Sequence, residues 1–279
     1  MSPSKIQRPV KKCLCFIRFR DKHTELNEIY WQHVIGSKTV IRALQGIEGS
    51  KSAVESLGIS TTKQEYGLSV QETIDRADAY LNRARLHILA ICCANLESFL
   101  HEAAFCYILS LGHKANPGKL TVVGEALGSP ILDYNSLPRP LEYSKHLFGV
   151  DFGDRDQVIK RAYKLRCAVV HNGGVVLART KKELKSAQLA LNSKLEYSWG
   201  ELKSVLEAVY EVAAIIEGKI NTRTLRLLEV EREYAMLFEA GEIKNPRSFW
   251  TYLHELGSFL PNKNERKEII KAVNAASKT

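Results

Sequence analysis

The chain has 279 residues, 45% of them hydrophobic and 25% charged, a mix that is typical of a folded globular protein. Its formal net charge of +9 favours an acidic partner, most simply nucleic acid. We find no apolar run of about 18 residues or more, and Arg18 and Arg20 interrupt the short apolar patch near the N-terminus. We therefore expect no transmembrane helix, no secretory signal and no membrane partner, but an intracellular, cytoplasmic protein.

Six cysteines in a chain of this length, unevenly spaced, do not form the pattern of a disulfide framework. They are Cys13, Cys15, Cys92, Cys93, Cys106 and Cys167. The arrangement Cys13-x-Cys15 with His23 downstream is a poor match to zinc-ligand spacings. We expect the cysteines to be small buried apolar side chains, and we expect neither a metal nor another cofactor.

Residues 1–68 are predicted to be an N-terminal helical extension. Apolar residues at roughly helical spacing predict one or two helices over residues 24–57, and residues 58–68 form a polar loop. A capping box, Ser69 with Glu72, then predicts the start of a long helix that Gly112 can end. At about 1.5 Å per residue this helix would be roughly 60 Å long, which admits a bend or break within it.

Four prolines punctuate residues 112–150, namely Pro117, Pro130, Pro138 and Pro140. They predict an inserted loop with one or two short helices. Residues 155–171 are helical again, Gly173 and Gly174 end that helix, and a short extended piece can follow.

Residues 198–220 form a strongly periodic helix, and residues 221–279 read as a more polar helical subdomain broken at Pro246 and Pro261. No segment reads as a sheet. The predicted fold class is therefore all-α, a helical bundle with a proline-containing insertion and extra N- and C-terminal helices. We divide the chain into residues 1–68, 69–220 and 221–279.

The common nucleotide-binding, hydrolase and zinc-protease motifs are absent. The three tryptophans and eleven tyrosines are spread along the sequence and predict no stacking array of the single-strand-binding kind. The remaining candidates for chemistry are Arg166 and His171, which lie about 140° apart around the predicted helix and about 7.5 Å apart along it. A two-fold axis would bring two copies of each into one cleft.

This pair of residue types suits the cleavage of RNA. A histidine can exchange a proton with the ribose 2′-OH or with the leaving oxygen, because it titrates near neutrality. An arginine can hold the scissile phosphate through two N–H groups and stabilise the charge of the transition state. Such a reaction requires no metal, leaves a 2′,3′-cyclic phosphate and spares DNA.

Arg166-x-x-x-x-His171, at a helix end and followed by Asn172-Gly173-Gly174, resembles the signature of the HEPN superfamily. An upstream helix with Asn95-Leu96-Glu97-Ser98-Phe99-Leu100 makes the chain most similar to stand-alone HEPN proteins of prokaryotic defence neighbourhoods. The resemblance covers roughly residues 69–220. It implies a HEPN-like four-helix core, a homodimer, metal-independent endoribonuclease activity in antiviral defence or a toxin–antitoxin system, and an antitoxin or defence-system partner protein.

The resemblance also implies roles for single residues: Arg166 and His171 are catalytic, and Glu97 orients Arg166 through a salt bridge. A solvated carboxylate is the alternative for Glu97. Asn172 could bind phosphate or serve as a C-terminal turn residue. A basic run on the same helix could line an RNA track or form a solvated face. These basic residues are Lys160, Arg161 and Lys164.

Cys167 departs from the family pattern, because catalytic members commonly have Asn, Asp or His at this position. A thiol is a weak hydrogen-bonding group, so it would orient a phosphate less well. Two alternatives therefore stay open. One is a non-catalytic HEPN-like module that binds a protein, nucleotide or RNA partner; the other is a DNA-binding regulator that uses the basic C-terminal helices.

Overall fold

The computed structural model describes residues 11–59, 67–112, 138–184, 190–243 and 245–276. Within these ranges the chain forms ten α-helices and no β-strand, only two isolated β-bridges, so the predicted all-α fold of packed helices is confirmed. In chain order the helices are α1 (Leu14–Leu44), α2 (Ala53–Ser56), α3 (Val70–Ser110), α4 (Pro138–Phe148), α5 (Arg155–Asn172), α6 (Ala178–Leu184), α7 (Trp199–Ile220), α8 (Arg223–Glu239), α9 (Pro246–Glu255) and α10 (Lys263–Ala276).

The chain divides into two compact units, each made of discontinuous segments. Unit 1 comprises Met1–Asp21, Leu96–Gly153 and Tyr210–Thr279, and unit 2 comprises Lys22–Asn95 and Asp154–Val209. Three helices, α1, α3 and α7, continue from one unit into the other. The domain boundaries predicted from the sequence, at residues 68/69 and 220/221, describe which segments would fold independently. They stay a prediction.

The predicted start and end of the long helix α3 are both confirmed. The Ser69 backbone N–H donates to Glu72 Oε2 at 3.0 Å, and the Glu72 N–H donates back to Ser69 Oγ at 3.2 Å. This reciprocal pair satisfies two N–H groups that the first helical turn leaves free. The helix then runs for 41 residues. Gly112 follows its end with a φ of 86°, a conformation that only glycine adopts easily.

Helix α1 begins at Leu14, well before the predicted helical region at residues 24–57, which is a correction to the sequence prediction. Carboxylates from distant helices explain the early start. Glu229 accepts the Leu14 N–H at 2.8 Å and the Cys15 N–H at 3.0 Å, and Glu217 accepts the Cys13 N–H at 3.4 Å. These acceptors replace a local N-cap, and no pattern within the first residues of the helix reveals them.

The prolines act in part as predicted. Pro138 and Pro140 lie in helix α4, whereas Pro117 and Pro130 fall in residues 113–137, outside the described residues. Pro246 occupies the first turn of α9, where its missing N–H costs nothing, and the Asn245 side chain caps this helix.

Helices α8, α9 and α10 share an apolar core in unit 1. Its buried members are Leu14, Val230, Tyr234, Ile243, Phe249, Leu253, Phe259, Ile269 and Val273. Residues 221–279 therefore form helices that pack around an apolar core, in agreement with the helical prediction.

The expectation that the cysteines are buried is confirmed for five of the six. Cys167 is the exception, since it is half-buried; all six are free thiols. Burial raises the pKa of Cys106 to about 12, so this thiol stays protonated and is a poor nucleophile.

By length and composition alone, α3 passes as a helix that could cross a membrane, and 56% of its most apolar 18-residue stretch is buried within the protein. Buried core helices pass the same test. The expectation that the protein has no membrane partner stays a prediction.

Candidate functional site

Helix α5 carries the predicted catalytic pair, and its end is built as the sequence predicts. Residues of one broad face are buried, including Ile159, Ala162 and Leu165. Gly173 then takes the left-handed conformation, with a φ of 59°, and the Gly174 N–H donates to the Ala168 carbonyl at 3.2 Å. The Gly173 N–H donates to the same carbonyl, so the two glycines together satisfy an acceptor that the last turn would leave free.

The segment after this stop is held by main-chain hydrogen bonds within unit 2. Val175 and Lys194 form an antiparallel β-bridge, which confirms the predicted short extended piece. The Leu195 N–H donates to the Gly174 carbonyl at 2.8 Å. These hydrogen bonds therefore fix the first residues that follow α5, a few positions after His171.

Asn82 on helix α3 fixes the other side of this bridge, a role that no sequence pattern indicated. Its side-chain NH₂ donates to the Leu195 carbonyl at 2.7 Å, and its side-chain oxygen accepts the Tyr197 N–H at 2.7 Å. Arg85, one turn further along α3, donates to the Tyr197 carbonyl. A single exposed-looking asparagine inside a helix gives no sequence signal for contacts more than a hundred residues away.

Arg166 and His171 lie on different faces of α5. With 3.6 residues per turn they are about 140° apart around the axis. His171 is exposed, whereas Arg166 is half-buried with its guanidinium carbon 5.4 Å from the centroid of the Tyr163 ring. Val170 lies between the two around the helix and is 54% exposed. One copy of the chain therefore presents its arginine and its histidine in different directions.

His171 shares a stripe of α5 with two of the predicted RNA-binding residues. Arg161, Lys164, Cys167 and His171 follow one another at spacings of three or four, so they line one side of the helix. Arg161 and His171 are exposed, and Lys164 and Cys167 are half-buried. We call these four residues the α5 stripe. It places a histidine and two cations along one edge of unit 2.

Lys160, the third predicted RNA-binding residue, already has a partner. Its Nζ lies 2.7 Å from Oδ2 of the buried Asp156, one turn earlier on α5. Across the residues that the structure describes, neither Arg161 nor Lys164 forms an ion pair. Arg161 and Lys164 are thus the cations of this helix that an external anion would meet first.

The structure bears differently on the two predicted supporting residues, Glu97 and Asn172. Glu97 lies in unit 1 on the half-buried side of α3, and Arg166 lies in unit 2, so their salt bridge stays a prediction. Asn172 is the last residue of α5, and its carbonyl accepts the Val175 N–H at 3.1 Å. That bond agrees with the turn role of Asn172, while its side chain stays a candidate phosphate ligand.

An aromatic cluster in unit 2 brings together rings that are far apart in the sequence, while the prediction of no stacking array of the single-strand-binding kind stays a prediction. The rings of Tyr30 and Trp199 are parallel, 4.3 Å apart and tilted by 4°, and Trp31 stands edge-on to both with centroids 5.4 Å away. Tyr30 is buried and Trp31 is 43% exposed. The sequence could not show this cluster, because Trp199 comes from the start of α7 and the other two rings come from α1.

A search of the described ranges finds no group of three or more His, Cys, Asp or Glu side chains that could hold a metal ion. Comparisons with models of protein families, with curated proteins and with solved structures find no significant match. The likeness to the HEPN superfamily therefore stands on the residues quoted above.

Proposed function

We propose that the protein is a metal-independent endoribonuclease of HEPN type that acts as a homodimer. The observation that carries the proposal is the end of α5, where Arg166 and His171 stand beside a fixed chain reversal and His171 continues a stripe of cations. Cations spaced along one helix face suit the phosphates of a polyanion. The net charge of +9 agrees with such a substrate.

In the proposed reaction the ribose 2′-oxygen attacks the adjacent phosphorus. His171 takes the proton of that hydroxyl as the P–O bond forms. The 5′-oxygen of the next nucleotide leaves and takes up a proton from water, and His171 later returns its proton to the solvent. The products are a 2′,3′-cyclic phosphate and a 5′-hydroxyl end. Arg166 binds the non-bridging oxygens of the phosphate and stabilises their added charge in the transition state.

The directions of the two side chains support the homodimer. Because Arg166 and His171 are about 140° apart on one helix, one copy cannot easily bring both to the same phosphate. A second copy related by a two-fold axis would place its Arg166 opposite the first His171. The exposed Val170 between them is an apolar residue that such a partner would cover.

The test is cleavage of total tRNA and of a mixed RNA in EDTA by the wild-type protein, Arg166→Ala and His171→Ala, followed by analysis of the ends. We expect wild type to cut and to leave cyclic phosphates, and both variants to lose cleavage. His254→Ala is the matched control, because His254 is an exposed histidine near the end of another helix, α9. Cleavage by either α5 variant at the wild-type rate would remove that residue from the mechanism.

A non-catalytic binding module is the second candidate, and Cys167 favours it. Cys167 lies on the α5 stripe next to Arg166, at the place where the thiol would orient a phosphate only weakly. Cys167→Asn distinguishes the two functions. An RNase limited by the thiol should cut faster with asparagine, whereas a pure binding module should bind RNA and never cut with either residue.

A further inference from the structure

We propose that the cluster of Trp31, Trp199 and Tyr30 is a base-stacking subsite, which receives an unpaired base of a single-stranded RNA whose backbone lies along the α5 stripe. This inference rests on the proposed function, and it names the substrate class of the same site as unpaired RNA. Four features support this subsite: an available ring, a fixed position, cations on the accompanying helices and the length of the α5 stripe.

The available ring is Trp31. Tyr30 and Trp199 stack on each other and pack α1 against the start of α7, so this contact between the two helices does not require a third ring. Trp31 adds an indole that is 43% exposed, so part of its ring is open to a ligand. Aromatic rings that bind unpaired bases combine this exposure with a rigid mount, because every base has a π-face to stack.

The cluster is fixed before any ligand binds. The Ser198 N–H donates to Glu201 Oε2 at 2.8 Å and the Glu201 N–H donates to Ser198 Oγ at 3.2 Å, a second capping box at the start of α7. Asn82 holds Tyr197 two residues before Trp199. A stacking platform on such a mount loses little side-chain entropy when a base binds.

The chain connects the cluster to the end of α5, and α1 adds two cations. The Leu195 N–H donates to the Gly174 carbonyl at 2.8 Å, and this bond joins the residue four before Trp199 to the residue three after His171 of the α5 stripe. On α1, Lys38 and Arg42 follow Trp31 at spacings of seven and eleven, so they share its side of the helix, and both are exposed. A strand with a base on Trp31 would present its phosphates to cations of these helices.

The α5 stripe has the length of a short piece of RNA. Arg161 and His171 are ten residues apart on α5, which is about 15 Å along the axis. At about 3.4 Å of rise per nucleotide in a stacked strand, this length spans roughly four nucleotides. We therefore expect the stacked base to lie within a few nucleotides of the cleaved bond and to select RNA that is unpaired on that side.

The test measures binding separately from cleavage. The probe is a 2′-O-methyl oligoribonucleotide of about 12 nucleotides without self-complementarity, which has no free 2′-OH to attack. Trp250→Phe serves as the background, because the remaining tryptophans, Trp31 and Trp199, then report on the cluster. We expect the probe to quench their fluorescence, and Trp31→Ala to weaken binding about 5- to 100-fold.

Two further variants separate stacking from stability. Trp31→Phe keeps a ring, so its affinity should fall between those of tryptophan and alanine. Tyr80→Ala is the matched control, because Tyr80 is a 54% exposed ring of unit 2 that lies away from Trp31. It contacts His33, and His33 lies about 200° around α1 from Trp31. Equal affinity for wild type, Trp31→Ala and Trp31→Phe would overturn the subsite, as would tighter binding of a fully paired RNA duplex or no binding of the probe at all.

The outcomes distinguish this inference from the proposed function. If the probe binds through Trp31 but no protein cuts RNA, the subsite stands and the nuclease fails. If wild type cuts RNA while Trp31→Ala binds and cuts equally well, the nuclease stands and the subsite fails.

Discussion

Two sets of charged side chains, one in each unit, differ in whether they have partners. In unit 1 a buried or half-buried set is paired: Arg18 bridges Glu102 and Glu233, while Glu217 and Glu229 accept the first N–H groups of α1. In unit 2 the cations of the α5 stripe are exposed or half-buried, and neither Arg161 nor Lys164 pairs with a carboxylate of the described residues. Burial forces pairing in the first case, and solvent makes it unnecessary in the second.

This difference shows where a ligand would be expected. Burial raises the pKa of Glu229, although the N–H groups of Cys15 and Leu14 lower it in part, and a shifted carboxyl is often the mark of a functional site. Here both oxygens of Glu229 already accept backbone N–H groups, so this carboxylate serves as a helix cap. Arg161 and Lys164, in contrast, have no carboxylate partner within the described ranges and keep their capacity to bind an anion.

The largest effect should separate activity from stability at the α5 end. Arg166→Ala and His171→Ala should each reduce RNA cleavage by about 10²- to 10⁴-fold, since each removes a group that acts in the transition state. Their unfolding free energies should stay within about 0.5 kcal/mol of wild type, because neither side chain is fully buried. Single-turnover cleavage and urea unfolding measure the two effects.

Loss of both activity and fold in these two variants would show that Arg166 and His171 stabilise the protein, as the paired charges of unit 1 do. That result would contradict the proposal that the end of α5 binds a ligand.

Glu229→Ala should have the opposite profile. It leaves two buried backbone N–H groups at the start of α1 without an acceptor, so unfolding should become easier by about 2–5 kcal/mol. Glu239→Ala, an exposed carboxylate of the same helix α8, should change stability by less than about 0.5 kcal/mol. Chemical denaturation measures both, and equal stabilities would show that the carboxylate does not cap α1.

A smaller effect is expected from Asn82→Ala, which removes the two hydrogen bonds that hold residues 195–197. Unfolding should become easier by about 1–3 kcal/mol. Arg83→Ala, an exposed neighbour on α3, is the control and should be nearly silent. Hydrogen exchange of the Tyr197 amide, which loses its acceptor, should also speed up in Asn82→Ala, and unchanged exchange would mean that α3 does not fix the segment.

The smallest effect is a pH dependence in unit 1. Burial lowers the pKa of His101 below its ordinary value of 6.5, so the unfolded chain takes up a proton there before the folded protein does. Stability should be fully present above pH 6.5 and should fall as the pH drops toward 5, by less than about 1.4 kcal/mol per pH unit from this group, since it is only partly buried. Thermal melts at several pH values measure the slope.

His101→Gln should flatten this slope, whereas His254→Gln, at an exposed position on α9, should leave it unchanged. An unchanged slope in His101→Gln would assign the acid sensitivity to other groups, of which His23 is the next, because burial lowers its pKa as well.

Much of the fold could be predicted because it depends on local interactions. Residues within a turn or two of one another determine the capping box at Ser69, the helix end at Gly173 and Gly174 and the all-α class, so a short stretch of sequence is enough to predict each. The start of α1 was missed, because its cap comes from Glu229, more than two hundred residues further along the chain.

The candidate site divides in the same way. Arg166 and His171 are visible in the sequence because they lie on one helix with a recognisable end. Asn82 and the ring cluster of Trp31 and Trp199 are not, since each depends on helices that meet only in the folded unit. Spacing predicts what one helix presents, and packing decides which helices add to it.

The central claim, a composite site shared by two copies, has a direct test. Arg166→Ala and His171→Ala are co-expressed with different tags and purified through both, so that each recovered dimer holds one copy of either variant. The account predicts that this mixed dimer cuts RNA in EDTA at a fraction of the wild-type rate, while each variant alone does not. A mixed dimer that fails to cut, beside a wild-type protein that cuts, would contradict a site built from the arginine of one copy and the histidine of the other.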